Sequence, residues 1–217
     1  MSKQRSRSST ASLKSPNSLG LIDTQVQANK LEFLFASRMG RESIEDLESD
    51  LVLIPVLSGM KVPRDLRADT PGVGELIKQS IKQNDFHGKR GERLLINTPL
   101  PTTTSGSGRI VLLAGLGRAD KFCAGAALEV FDALVDEACR SNVKRITIPF
   151  IPNRGTGNCL TMKGMAHKLN IAINRRLSQQ EGVVALSEVQ IFCTTQAKPH
   201  IEQGLAIPLT EGNCGCK

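Results

Sequence analysis

The sequence contains no tryptophan and no tyrosine, and its aromatic content, all phenylalanine, is only 3%. A membrane-surface role through Trp or Tyr anchors is therefore excluded. No apolar run approaches the roughly 18–20 residues of a membrane-spanning helix, which excludes an integral membrane protein. No basic start leads into an apolar core near the N-terminus, which argues against a secretory signal. The chain also lacks a P-loop, a G-x-S-x-G elbow, an H-E-x-x-H zinc motif and any repeat with a period of 20–50 residues. The six cysteines, at 123, 139, 159, 193, 214 and 216, form neither a disulfide framework nor paired C-x-x-C knuckles. A reducing cytoplasm is the expected compartment. Cys214-Gly-Cys216 supplies two thiolates, too few to complete a tetrahedral zinc site.

What remains is an ordinary globular composition. The chain has 217 residues, 40% hydrophobic and 23% charged, enough for one domain with a full core. The formal charge is +7, placed unevenly. Lys3, Arg5, Arg7 and Lys14 precede the first acid, Asp23, and 28 basic residues less these four leaves 24 against 21 acids. The body is only mildly basic, so its charge does not demand nucleic-acid binding. Residues 1–20, rich in Ser, Lys and Arg, are expected to form a disordered basic tail, the one place where nucleic acid would attach. Residues 21–207 form the expected domain, and 208–217 a flexible C-terminal tail.

Apolar periodicity predicts the elements. Alternating Leu31, Phe33 and Phe35 mark a strand over 26–36, and the unbroken run Leu51–Leu57 marks a strand buried on both faces. Thr70 and Pro71 look like a helix cap and first position, with Leu76, Ile77 and Ile81 as the buried stripe. Residues 86–91 read as a loop, 93–97 as a short strand, 109–114 as a second buried strand and 120–140 as an amphipathic helix. A strand over 145–150, a helix over 160–177, a strand over 189–194 and a short helix over 198–204 complete the pattern. Strands alternating with helices predict a three-layer α/β domain with a mostly parallel sheet.

Two glycine-rich stretches, each read as a turn between a buried strand and a helix, are the candidate site: Gly115-Leu116-Gly117, and Asn153-Arg154-Gly155-Thr156-Gly157-Asn158. Such turns lie at the carboxyl ends of parallel strands, where backbone N–H groups and a helix N-terminus favour an anion. The dinucleotide pattern G-x-G-x-x-G fails at Asp120, and tight turns without ligand explain the glycines equally well. His87, His167 and His200 have no carboxylate or thiol at ligand spacing and read as surface or structural histidines. Asp46, Glu48 and Asp50 read as a solvated edge or turn before a strand, not as a metal site. No catalytic pair, metal site or cofactor is expected.

The segment Asn84-Asp85-Phe86-His87-Gly88-Lys89-Arg90-Gly91-Glu92, and the strand Arg109–Ala114 running into Gly115-Leu116-Gly117-Arg118, resemble the N-terminal domain of the leucyl aminopeptidases. The helix and the strand at 145–150 that follow extend this likeness, which covers roughly residues 25–205. It implies a macro-domain-like α/β/α fold with a mixed, mostly parallel sheet. Ile146-Thr147-Ile148-Pro149-Phe150 followed by Gly155-Thr156-Gly157 is similar to the phosphate-binding segment of ADP-ribose-binding macro domains, which implies diphosphate contacts there. The tandem asparagines of those domains are replaced by Pro55, Val56, Leu57 and Ser58. The catalytic signature Asn-Thr-Asp-Ala-Glu-Gly-Arg of the aminopeptidases does not occur, so the two-metal chemistry is not expected. The resemblance thus implies a non-catalytic, stand-alone binding or assembly module whose partner is another copy or a full-length aminopeptidase. A nucleotide or ADP-ribose-like ligand is the alternative, and nucleic acid at the tail a further one.

Overall fold

The computed structural model describes residues 31–37, 47, 49–59, 73–99, 108–149, 161–179 and 185–209. Six strands run in chain order as β1 (Glu32–Ser37), β2 (Leu51–Leu57), β3 (Arg93–Asn97), β4 (Ile110–Gly117), β5 (Arg145–Ile148) and β6 (Glu188–Cys193). The helices are α1 (Val73–Gln83), α2 (Ala124–Arg140), α3 (Met162–Gln179) and α4 (Lys198–Leu205). The strands form one sheet in the order β1-β6-β5-β2-β4-β3. Only β3 runs antiparallel to its neighbour; the other pairs are parallel. The expected three-layer α/β fold is present.

The apolar run of β2 explains its central place. Leu51, Leu53 and Leu57 enter one core cluster with Leu112, Ala114 and Leu116 of β4 and the inner faces of α2, α3 and α4. Val52, Ile54 and Val56 point the other way, into a cluster with Val111, Leu113, Leu94, Ile96 and Ile77 of α1. A strand covered on both faces must be apolar at every position, because successive side chains alternate between the two layers. Helices α2 and α3 are tied on their outer surfaces by ion pairs from Arg175 to Asp132 and from Arg176 to Asp136.

Three expectations need correction. The strand expected to stop at Ala114 continues through Gly117, so Gly115-Leu116-Gly117 is the end of β4 and not a strand-to-helix turn. The helix expected from 120 begins at Ala124, because Ala119–Lys121 forms only a 3-10 turn and Phe122 and Cys123 return to extended backbone. The third concerns Asp50, which is not on a solvated edge: it is 2% exposed. Its Oδ2 accepts the backbone N–H groups of Lys144 at 3.0 Å and Arg145 at 3.2 Å. The Asp50 N–H donates to the Arg145 carbonyl, and the Asp50 carbonyl accepts from Ile110, so one residue joins the starts of β2, β4 and β5. Asp46 and Glu48, the tails 1–20 and 210–217, and the cap residues Thr70 and Pro71 lie outside the described residues.

Replacing Asp50 with Ala removes a buried carboxylate and leaves two partly buried N–H groups without that acceptor, and an orphaned donor costs about 1–3 kcal/mol when it is buried. Asp50→Ala is expected to lower the unfolding free energy by about 2–4 kcal/mol. Urea denaturation followed by circular dichroism measures it; a loss below about 0.5 kcal/mol, the scale of an ordinary surface substitution, would show that Asp50 does not hold the strand starts together.

Candidate functional site: the carboxyl rim of the sheet

Because β4, β2 and β5 are parallel neighbours, their carboxyl ends share one rim of the sheet. This is where open α/β sheets take ligands. Of the residues expected there, Gly115, Leu116 and Gly117 form the end of β4, and Leu116 is buried in the main core. Asn153, Arg154, Gly155, Thr156, Gly157 and Asn158 lie outside the described residues.

The end of β4 is covered by the chain itself. Helix α1 ends at Gln83; two residues on, Asp85 adopts a left-handed φ of 51°, and the Phe86 N–H closes back onto the Ile81 carbonyl at 3.0 Å. The chain then crosses the rim as the loop His87–Glu92 and enters β3. The Gly115 N–H donates to the Glu92 carbonyl at 2.8 Å, the Gly91 N–H to the Gly115 carbonyl at 3.4 Å, and the Gly117 N–H to the Gly88 carbonyl at 3.0 Å. The amides of Gly115 and Gly117 are therefore occupied by backbone acceptors of this loop. Two glycines make the approach feasible. A Cβ on Gly115 would sit 1.9 Å from the Lys89 carbonyl oxygen. Gly117 has φ +78°, which lets its N–H face Gly88 while its carbonyl accepts from Ser58 at 2.8 Å.

The loop is braced from within by one carboxylate. Glu92 Oε2 accepts the N–H groups of His87 at 2.8 Å and Lys89 at 2.9 Å. Partial burial works to raise the Glu92 pKa, but these two N–H donors, with the charges of Lys89 and His87, hold it below the usual value. Arg90 leaves the loop to grip Glu129 of α2 through two bonds, Nε at 2.9 Å and Nη2 at 2.5 Å. That hydrogen bonding, with the Arg90 charge, holds the Glu129 carboxyl low as well. Beyond β4, Arg118 makes a similar two-bond pair with Asp120. The family-like segment 84–92 is thus a structural clasp, which sequence spacing alone did not reveal. Its signal was present as two glycines three apart, at 88 and 91, followed at once by an acid.

Of the histidines, His87 sits in the clasp with Nδ1 2.5 Å from the Asp85 carbonyl oxygen, and His200 is exposed on α4. His167 is half-buried on α3, where desolvation and the neighbouring Lys168 charge push its pKa down. Among the described residues, no three His, Cys, Asp or Glu side chains gather in a metal-holding group. No helix among them is long and apolar enough to cross a membrane.

A mixed, mostly parallel sheet between helical layers, closed at β4 by a helix-to-strand loop, defines an α/β domain. Residues 58–162 match the family described as "Cytosol aminopeptidase family, N-terminal domain". The fold is similar to a tomato leucine aminopeptidase at 14% identity and a TM-score of 0.55, over 82% of this chain and 36% of that one. The bottromycin maturation enzyme BotP also aligns, at 17% identity and a TM-score of 0.49, over 73% of this chain and 30% of that one. The chain therefore spans about a third of the length of these solved enzymes. At these identities the likeness to the tomato enzyme shows the fold alone. No curated protein matches the chain by sequence.

Two outcomes test the clasp. Gly115→Ala places a methyl group against the Lys89 carbonyl and is expected to destabilise the fold by about 2–4 kcal/mol in urea titration. An unchanged midpoint would mean that the loop does not pack on β4. The lowered Glu92 pKa also fixes the sign of a pH effect. A carboxylate depressed in the folded state adds stability that is present above its ordinary value of 4.5 and is lost as pH falls through the folded value. Thermal unfolding between about pH 6 and 3 should show Glu92→Gln losing less stability on acidification than the wild type. Parallel curves for the two proteins would contradict this.

Proposed function

We propose that these 217 residues act as a non-catalytic assembly module that associates with copies of itself, built on the aminopeptidase N-terminal fold. The observation that carries this reading is the closure of the rim at β4. The backbone groups an anion would use there are bonded to the clasp 86–92, so the end of the strand serves internal structure. On this reading, recognition lies on the outer surfaces instead. Placement in the reducing cytoplasm agrees with Cys123, Cys139 and Cys193, which are free thiols among the described residues.

Sedimentation velocity of the full chain from about 1 to 200 µM is expected to show reversible, concentration-dependent growth in mass. A monomer throughout that range would remove the assembly reading. Thermal unfolding with millimolar ADP-ribose is expected to leave the midpoint unchanged, since a ligand that binds only the folded state must raise it. A saturable rise would favour a nucleotide binder instead. Metal-dependent hydrolysis of a leucyl substrate by the pure chain with Zn²⁺ or Mn²⁺ would overturn the non-catalytic part.

A further inference from the structure

We propose that the outer edge of β3, which ends the sheet among the described residues, is the self-association seam, pairing antiparallel with β3 of a second copy about a two-fold axis through Leu95. This rests on the assembly reading above and assigns it a surface.

The hydrogen bonds at the two ends of β3 set the direction of its backbone groups. Glu92 accepts from Gly115 of β4, and the Thr98 N–H donates to the Arg109 carbonyl at 2.9 Å. Between them β3 pairs with β4 in unbroken register, from Arg93 opposite Ala114 to Asn97 opposite Ile110, with no bulge. In an antiparallel pair, alternate residues turn both N–H and C=O toward the same neighbour. Leu94 and Ile96, in phase with 92 and 98, therefore face β4. Arg93, Leu95 and Asn97 present their N–H and C=O groups at the outer edge, where β3 ends the sheet among the described residues.

The side chains fit the same seam. Leu94 and Ile96 are buried beneath α1, whereas Arg93, Leu95 and Asn97 are exposed. Leu95 lies on the face that carries α2, but α2 packs over β4 and β2 and leaves it uncovered. It is 42% exposed, one of two large hydrophobic residues exposed among the described residues. Among the devices that guard natural edges, positions 93–97 carry no proline, bulge or inward charge; the short strand has one outward charge, Arg93, and it opposes Asn97 in the seam. Self-pairing centred on Leu95 puts Leu95 against Leu95 and Arg93 against Asn97, with no like charges opposed. All three outward residues of each strand then pair, giving about six N–H···O=C bonds.

The test uses the full chain, with sedimentation velocity for mass and amide exchange for the seam. In the wild type, the Arg93, Leu95 and Asn97 amides should exchange more slowly at high concentration than at low, while Leu94 and Ile96 do not change. Leu95→Lys opposes two ammonium groups across the axis, and Asn97→Arg places Arg against Arg93 twice. Each should raise the dimer dissociation constant by about tenfold or more. Asn97→Glu, which places a carboxylate against Arg93, should leave it unchanged or lower it. All three positions are exposed, so circular dichroism and melting temperature are expected to match the wild type; should Leu95→Lys misfold, the Asn97 pair still decides. A wild-type dimer unaffected by both Leu95→Lys and Asn97→Arg would overturn the seam and leave the assembly reading standing. A wild type monomeric at every concentration overturns both.

Discussion

The close approach of the loop 86–92 to the end of β4 is the contact on which the rim depends, and it is possible only because position 115 lacks a side chain. The Lys89 carbonyl occupies the space where a Cβ would lie, so the three backbone bonds between loop and strand form at a distance no other residue allows. These bonds determine where β3 begins, because Glu92 is both the last residue of the loop and the first acceptor of the β3–β4 ladder. The same residue braces the loop from inside through its carboxylate, and Arg90 ties it outward to α2. Strand register, loop shape and one helix contact therefore share a single origin.

The opposite end of the sheet shows the complementary device. There the strand starts are joined by Asp50, whose backbone and carboxylate together reach β4 and β5. A buried carboxylate is costly unless its acceptor positions are used, and the backbone N–H donors of Lys144 and of Arg145 in β5 answer part of that need. Between Asp50 and the clasp, β2 holds only apolar residues, which bind the two helical layers by burial alone. Polar interactions thus set the register at both ends, and apolar burial supplies cohesion between them.

Most of the fold could be read from apolar periodicity. β2, β3, β5, β6, α2, α3 and α4 fall within a few residues of their expected spans, because a two-sided buried run, strict alternation and an amphipathic stripe each follow directly from burial geometry. Gly115-Leu116-Gly117 was harder. Glycine breaks a pattern in the same way whether it makes a turn or admits a neighbouring backbone, and which of these it does depends on a loop more than 20 residues earlier in the chain. Asp50 was illegible for a related reason: an acid before a strand looks solvated until its acceptors are matched with donors from 94 and 95 residues away. The glycine stretch at 153–158 lies outside the described residues.

The two ends of the sheet are not equivalent, and the difference argues for β3 over β1 as the place where a partner strand would add. β1 is held by parallel pairing to β6, with Phe33 and Phe35 directed into the main core and Phe35 lying beneath the Lys198 ammonium at 5.4 Å. β3 is antiparallel to its neighbour, and its odd-numbered residues turn both backbone and side chains outward. Antiparallel addition about a two-fold axis needs only that a strand be compatible with its own reverse, and Arg-Leu-Leu-Ile-Asn satisfies this with leucine at the centre and unlike residues at the ends. The clasp that closes the rim also fixes which β3 groups face outward, since the Glu92–Gly115 bond sets the phase of the whole strand. Loss of the clasp would therefore change the outer edge of the sheet as well as the rim.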